Sequence, residues 1–352
     1  MRLSNALPTS PAQSPASLRR GLILWGGLAA FPILVGVTSL GIGRYPVPLD
    51  QVLLALWTGL GFSADIPNTV ERVVLLIRLP RVLEGLIIGG GLALAGAALQ
   101  GVFRNPLVGP QIIGVSSGAA FGGAVALLLG LGLAGLMTGA FIFGIAALVI
   151  VFALSRVDGR SPVLMLVLAG VVTGAFFSAL VSLVTFLADP NDTLPAIVYW
   201  LMGSFATASW SKVALVGGVT MVAAALLVAM RFRINILSLG DEDAHALGIA
   251  VERTRWTILI AATALVAASV AVAGIIGWVG LVIPHIARML VGPDHKRLLP
   301  AAALIGAGYM VLVDNVARTA TASEIPLGVL TAIIGAPMFA WLLRRTQAGG
   351  WS

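Results

Sequence analysis

Ten stretches of about 20 mostly apolar residues recur along this chain, at 21–41, 82–103, 112–132, 134–154, 163–187, 213–230, 256–275, 276–291, 301–319 and 326–343. Each is long enough to cross a bilayer as a helix. With hydrophobic residues at 59%, charged residues at 10% and a mean hydropathy of +1.04, the chain has too little polar surface for a water-soluble domain of this length. The expected fold is therefore all-α, a polytopic membrane protein of about ten helices forming one domain over 21–345. The weakest boundary is the split near Gly274–Gly277. Within 82–103 the glycines Gly85, Gly89, Gly90, Gly91, Gly96 and Gly101 predict close helix packing, because association in lipid depends on backbones approaching each other.

Residues 1–20 are rich in Ser, Pro and Ala, and the apolar run that follows exceeds a signal peptide's core of about 7–15 residues. They read as a disordered cytoplasmic tail, and 346–352 as a short cytoplasmic C-terminal one. With the N-terminus inside and ten alternating spans, fifteen of the 21 basic residues fall in inner loops, among them Arg104, Arg156, Arg160, Arg231, Arg233, Arg253, Arg255, Arg288, Lys296 and Arg297. The net charge of +7 is then a record of topology rather than of nucleic-acid binding. Arg44, Arg72, Arg78, Arg81, Lys212 and Arg318 fall outside. The residues leave two readings open for Arg78, Arg81 and Arg318 at outer helix ends: a surface for an acidic partner, or snorkelling to lipid headgroups, with Arg318 also able to pair with Asp314 one turn earlier.

The largest inner loop, RFRINILSLGDEDAHALGIAVERTR, predicts a short amphipathic helix from about Gly240 that stops at Gly248, with Asp241, Glu242 and Asp243 favourably placed at its N-terminus. Interfacial anchors are mostly basic, so an acidic start favours docking to a cytoplasmic protein. The chain holds two lysines, neither in a phosphate-cradling G-x-x-x-x-G-K-[ST] loop, so it does not hydrolyse ATP alone. His285 and the Asp314–Asn315 pair are the ionisable and polar groups noted within spans. They lie near opposite membrane faces and read as structural hydrogen-bonders. His245, His285 and His295 share no ligand spacing, cysteine is absent, and Ser116, Ser117, Thr173, Ser178, Ser182 and Thr185 lie on Gly- and Ala-rich helices without a base; neither a metal site nor a covalent catalyst is expected.

Seven ordered motifs carry a resemblance: Arg78-Leu-Pro-Arg81, Arg104-Asn-Pro-Leu107, Gly114-Val-Ser-Ser-Gly118, Tyr199-Trp-Leu-Met-Gly203, Leu239-Gly-Asp241 with Ala246-Leu-Gly248, Gly280-Leu-Val-Ile-Pro-His285 and Ile334-Gly-Ala-Pro337. Together, over about 21–345, they resemble the FecCD permeases, membrane subunits of type II ABC importers for vitamin B12, haem and ferric siderophores. The resemblance implies a homodimer around a central path, two ATP-binding cassette subunits on the cytoplasmic face that bind the ATP and Mg, and a periplasmic or extracellular substrate-binding protein. The chain itself would bind no cofactor and would lie in the bacterial inner membrane, in contact with lipid, with both termini cytoplasmic. By the same resemblance Arg78, Arg81 and Arg318 dock the binding protein. Gly240, Asp241, Glu242, Ala244, Leu247 and Gly248 form the helix coupled to the ATPase. Asn105, Leu107, Val163 and Leu164 form the cytoplasmic gate, and Asp192–Phe205 a short outer helix near the cargo entrance. A ferric siderophore is the first expectation for cargo, with haem, cobalamin or molybdate as alternatives. Two other classes remain as alternatives: an ion-coupled secondary carrier, for which the sequence offers hints of repeats but no midplane ionisable site, and a purely structural scaffold.

Overall fold

The computed structural model describes residues 15–347, and among them the secondary structure is helical apart from one isolated bridge between Val157 and Arg160. Seven helices are long and apolar enough to cross a membrane, and three shorter apolar ones complete the expected ten. In chain order the elements are α1 (Pro15–Gly41), α2 (Leu49–Gly59), α3 (Asn68–Val102), α4 (Val115–Leu128), α5 (Gly132–Ser155) and α6 (Val163–Leu187). They continue with α7 (Thr193–Leu201), α8 (Trp210–Ala229), α9 (Arg231–Leu237), α10 (Asp241–Ala246), α11 (Val251–Ala273), α12 (Val279–Val291), α13 (His295–Thr319) and α14 (Leu327–Gln347).

Most expected spans coincide with these helices to within a few residues, and α6 matches its prediction end to end. The helix α1 begins at Pro15, so the last residues of the expected N-terminal tail are helical, while residues 1–14 lie outside the described residues. The expected C-terminal tail overlaps the end of α14, and 348–352 lie outside the description. The break between α11 and α12 is real: Gly274 has φ +74° and Trp278 φ +66°, neither compatible with a continuing right-handed helix. Two features went unpredicted. One is α2; the other is the extension of α3 back to Asn68 through a π-helical stretch, Val73–Arg78. Pro46, Pro48 and Pro67, with Asp50, Asp65, Glu71 and Arg72, interrupt the apolar pattern there, although the backbone is helical over Leu49–Gly59 and again from Asn68.

Two helices, α3 and α11, make up the centre; over their most apolar stretches 78% of residues are buried within the chain, against 17% for α1 and 22% for α8. Around α3 pack α13, α11, α12 and α8, while α4, α5 and α6 form a second group joined to the first through α11. Glycine sets these distances. A β-carbon at Gly306 would lie 2.5 Å from the Gly89 carbonyl oxygen, and one at Gly280 2.8 Å from that of Leu92, so α13 and α12 both meet α3 backbone to backbone. At Gly114, φ +76° caps the 3-10 turn Pro110–Ile113 and turns the chain into α4 with its backbone against α6; a side chain there would be strained and would also meet Gly174 N at 2.9 Å.

With 14 and 13 residues, α4 and α12 are each shorter than a bilayer crossing requires. Irregular backbone at membrane depth survives only where it is buried in protein or faces a cavity. Here Gly109–Ile112, before α4, and Gly274–Trp278, before α12, line one cavity of about 250 Å³ together with Leu92, Ser116 and Ser269.

Gly306→Val is expected to force α13 from α3 and cost about 1–3 kcal/mol or more by overpacking. Gly218→Val, where a β-carbon would meet nothing within 4 Å, serves as the control. Thermal unfolding in detergent should show a lowered midpoint for the first and little change for the second.

Candidate functional site

Polar side chains concentrate at the two ends of the bundle. At the end where α1 finishes and α13 meets α14, three arginines are buried to 6–8% exposure. Arg78 and Arg81 share a face of α3 because they lie three residues apart. Arg81 donates from Nε to Asp314 Oδ2 at 2.9 Å and from Nη2 to Asp314 Oδ1 at 2.8 Å, and its two terminal nitrogens reach the Glu324 carboxylate at 2.9 Å each. Arg318, one turn beyond Asp314 on α13, donates to the Ser39 carbonyl at 2.6 Å and lies 3.8 Å from Asp314 Oδ2. Arg78 donates to the Leu40 carbonyl at 2.7 Å and to that of Tyr45. The expected docking residues are thus brought together, and each guanidinium already has partners within the chain. The pairing of Arg318 with Asp314, one of the two readings left open by the sequence, is present as the 3.8 Å contact. Exposed positive charge near this end comes instead from Arg72 and from Arg44, which donates to the Ala322 carbonyl.

Sequence reasoning missed two buried charges just below this cluster. Glu84, one turn along α3 from Arg81, is 1% exposed and accepts from Ser209 N at 3.3 Å. Lys212, assigned above to an outer loop, is buried in the first turn of α8 and donates to Thr207 Oγ1 at 2.6 Å and to the Val272 carbonyl at 3.3 Å. A lone carboxylate within an apolar span was the available signal. Ionisable groups therefore do exist within the spans: Glu84 and Lys212 have local partners, whereas Nδ1 of His285, expected to be a structural hydrogen-bonder, has none among the described residues.

At the opposite, Arg-rich end, α10 is the acidic helix expected from the sequence. Gly240 precedes it at φ +142°, a conformation that favours glycine, and Gly248 ends the turn after it at φ +78°. Its Ala244 is buried against the core, whereas Glu242 and Leu247 are exposed. Asp241 accepts from Arg255 Nη2 at 2.7 and 2.8 Å and lies 3.4 Å from Arg104 Nη2. Of the expected gate residues, Asn105 folds its side chain back to accept from Leu107 N at 2.8 Å, and Leu107 is exposed and lines the central cavity. Val163 packs against the core, and Leu164, one residue further along α6, is 67% exposed. Both pairs thus sit beside chain that reaches Asp241, the first through Arg104 and the second through α11. The expected outer helix is present as α7.

The cavity between the two ends has neutral walls: Gln111, Ser116 and Ser269 supply its side-chain polarity and Leu92, Val266 and Trp278 its apolar surface.

The sequence from 31 to 345 matches the FecCD transport family. Known relatives include the molybdate import system permease protein MolB of Haemophilus influenzae, 46% identical over 92% of this chain and 96% of that one. The cobalamin import system permease protein BtuC of Halobacterium salinarum is 43% identical over 86% and 80%, and the hemin transport system permease protein HmuU of Yersinia pestis 40% over 92% and 96%. A solved structure described as an inward-facing conformation of a metal-chelate type ABC transporter superposes with a TM-score of 0.84 at 45% identity, covering 92% of this chain and 99% of that one. The architecture defines a multi-pass membrane permease of the ABC importer type. The chain belongs to the FecCD transport family.

Asp314→Ala is expected to leave Arg81 and Arg318 buried without their shared carboxylate and to lower stability by about 3–5 kcal/mol, read as a large fall in the detergent unfolding midpoint. Around Glu324, burial pushes the carboxyl up, but the Arg81 hydrogen bonds and the charges of Arg81, Arg44 and Arg318 outweigh it and hold it below its ordinary 4.5. A group bound less tightly to its proton in the folded state stabilises that state above its unfolded pKa and loses the contribution as pH falls through its folded one. A pH series should therefore show the stability difference between wild type and Glu324→Gln constant above about pH 5 and vanishing under more acidic conditions.

Proposed function

We propose that this chain is the membrane pathway of an ATP-driven importer in the bacterial cytoplasmic membrane. Two copies enclose the path, two ATP-binding cassette subunits supply hydrolysis, and a binding protein delivers a metal chelate or metal oxyanion. The observation that carries this reading is α10, an acid-fronted helix with exposed Glu242 and Leu247 on the Arg-rich end of a bundle whose sequence has no phosphate-binding loop of its own. The excess of Arg and Lys at that end makes it the cytoplasmic one, with both termini on the same side.

In this scheme Gly240, Asp241, Glu242, Ala244, Leu247 and Gly248 seat the ATPase, which alone binds ATP and Mg. Asn105, Leu107, Val163 and Leu164 form the gate at the cytoplasmic end of the path. The binding protein docks over Arg78, Arg81 and Arg318. Because those arginines already have internal partners, docking works by exchange: an acidic side chain of the binding protein replaces Glu324, the more exposed of the two Arg81 partners at 26% against 2% for Asp314. Asp314 stays as the buried counter-charge.

The sequence puts a ferric siderophore first as cargo, since the chain supplies no metal ligands and any iron would arrive already chelated. The more specific observation favours molybdate: identity to the molybdate permease exceeds that to the cobalamin or hemin permeases. The neutral cavity walls suit either, because selection then rests with the binding protein.

The test is uptake into proteoliposomes containing this chain with its ATPase, with the binding protein offered molybdate, ferric siderophore, haem or cobalamin in separate arms. Accumulation of one cargo that requires both ATP and binding protein is the expected result. Uptake driven by a proton gradient without ATP would overturn the importer reading.

A further inference from the structure

The helix α10 is six residues long and exposed, so whatever it transmits must pass through the few groups that tie it to the bundle. Among the described residues, the side chain on α10 with hydrogen bonds to the rest of the chain is Asp241. Both of its oxygens accept from one nitrogen of Arg255, at 2.7 and 2.8 Å. Arg255 lies in the second turn of α11 and is 1% exposed. Its other terminal nitrogen donates to the Ser161 carbonyl at 2.9 Å and to Glu252 Oε1 at 3.0 Å. That same Glu252 oxygen accepts the Ser161 N–H at 3.1 Å, and Trp256 Nε1 lies 3.3 Å from the Ser161 hydroxyl. Three side chains of α11 thus hold one residue by its N–H, its carbonyl and its side chain.

Ser161 stands immediately before α6. Pro162 follows with φ −56°, set by its ring, and Val163 is the first residue of the helix. A shift of Ser161 therefore enters α6 with little slack, and Leu164 lies within its first turn. On the other side of Asp241, Arg104 reaches the same carboxylate from the turn that holds Asn105 and Leu107. One carboxylate on α10 is therefore joined to both segments assigned to the gate.

We propose that Asp241, Arg255 and Ser161 form the relay by which displacement of α10 moves the start of α6, with Arg255 as its positioning residue. This rests on the assignment of α10 to the ATPase and of the two pairs to the gate. Releasing Asp241 would cost Arg255 its two shortest charge-assisted contacts and leave Glu252 as its remaining counter-charge, so displacement of α10 is resisted unless α11 and the chain before α6 follow. Lysine cannot substitute, since a single ammonium point does not hold the Asp241 carboxylate and reach the Ser161 carbonyl in the same geometry.

The test uses the full importer in proteoliposomes, with the binding protein offered molybdate and a ferric hydroxamate siderophore in parallel, measuring cargo uptake and ATP hydrolysis in the same vesicles. Arg255→Lys is expected to lower cargo imported per ATP hydrolysed by about tenfold, the factor that corresponds to one charge-assisted hydrogen bond. Glu252→Ala, which removes the acceptor for Ser161 N–H but leaves Arg255 on Asp241, is the second variant, with an expected fall of about threefold. Because the chain has no cysteine, a spin label at Leu164→Cys reports on the gate alone. Its spectrum should change on ATP addition in the otherwise native chain and stay unchanged with Arg255→Lys. Uptake and hydrolysis that fall together at constant ratio, or a label that still responds in the variant, would overturn the relay while leaving the importer reading standing. Uptake by the wild-type complex driven by a proton gradient without ATP would overturn the importer reading itself, and the relay with it.

Discussion

The backbone contact of α3 with α13 at Gly89 and Gly306 sets the distance on which the other interactions depend. A β-carbon at Gly306 would be 2.5 Å from a carbonyl oxygen of α3, so no other residue type allows that approach without displacement. About two turns further along the same pair of helices, Arg81 on α3 meets Asp314 on α13. In lipid, apolar side chains gain little from leaving one apolar medium for another, so close packing and satisfied polar groups must supply the association. The glycines provide the first and the arginine–aspartate pair the second.

The same geometry explains why charge sits where it does. At one end, three arginines find their partners in the carboxylates of Asp314 and Glu324 and in backbone carbonyls at and just beyond the end of α1. At the other, Asp241 gathers Arg104 and Arg255. The cavity between is uncharged, and its walls are the irregular segments next to the two short helices.

Much of the fold was legible in the sequence, because a membrane span must be a long apolar run and must satisfy its own backbone. The boundaries of α6 could be read directly, since Pro162 and the Ala188–Asp189–Pro190 turn mark both ends. The acidic helix α10 was legible from the glycines on either side of it. By contrast α2 and the first turns of α3 were hidden, because prolines and carboxylates break the apolar pattern on which span detection depends. Glu84 and Lys212 escaped because an isolated charge near a span boundary looks the same in sequence whether it points to water or into the bundle. Ser161 carried no signal, as its importance lies in three partners from another helix.

By itself the sequence determined the number of spans, their order and, through its ordered motifs, the family. Those are properties of local composition and of short motifs, which a single segment carries without its neighbours. Only the tertiary structure decided that Arg78, Arg81 and Arg318 are internally paired, that two short helices leave a cavity, and that Asp241 pairs with Arg104 and with Arg255, which in turn holds Ser161 ahead of α6. These depend on which helix faces lie against each other, and that is set by the close approach of glycine backbones as far apart in sequence as Gly89 and Gly306, an order no single span records.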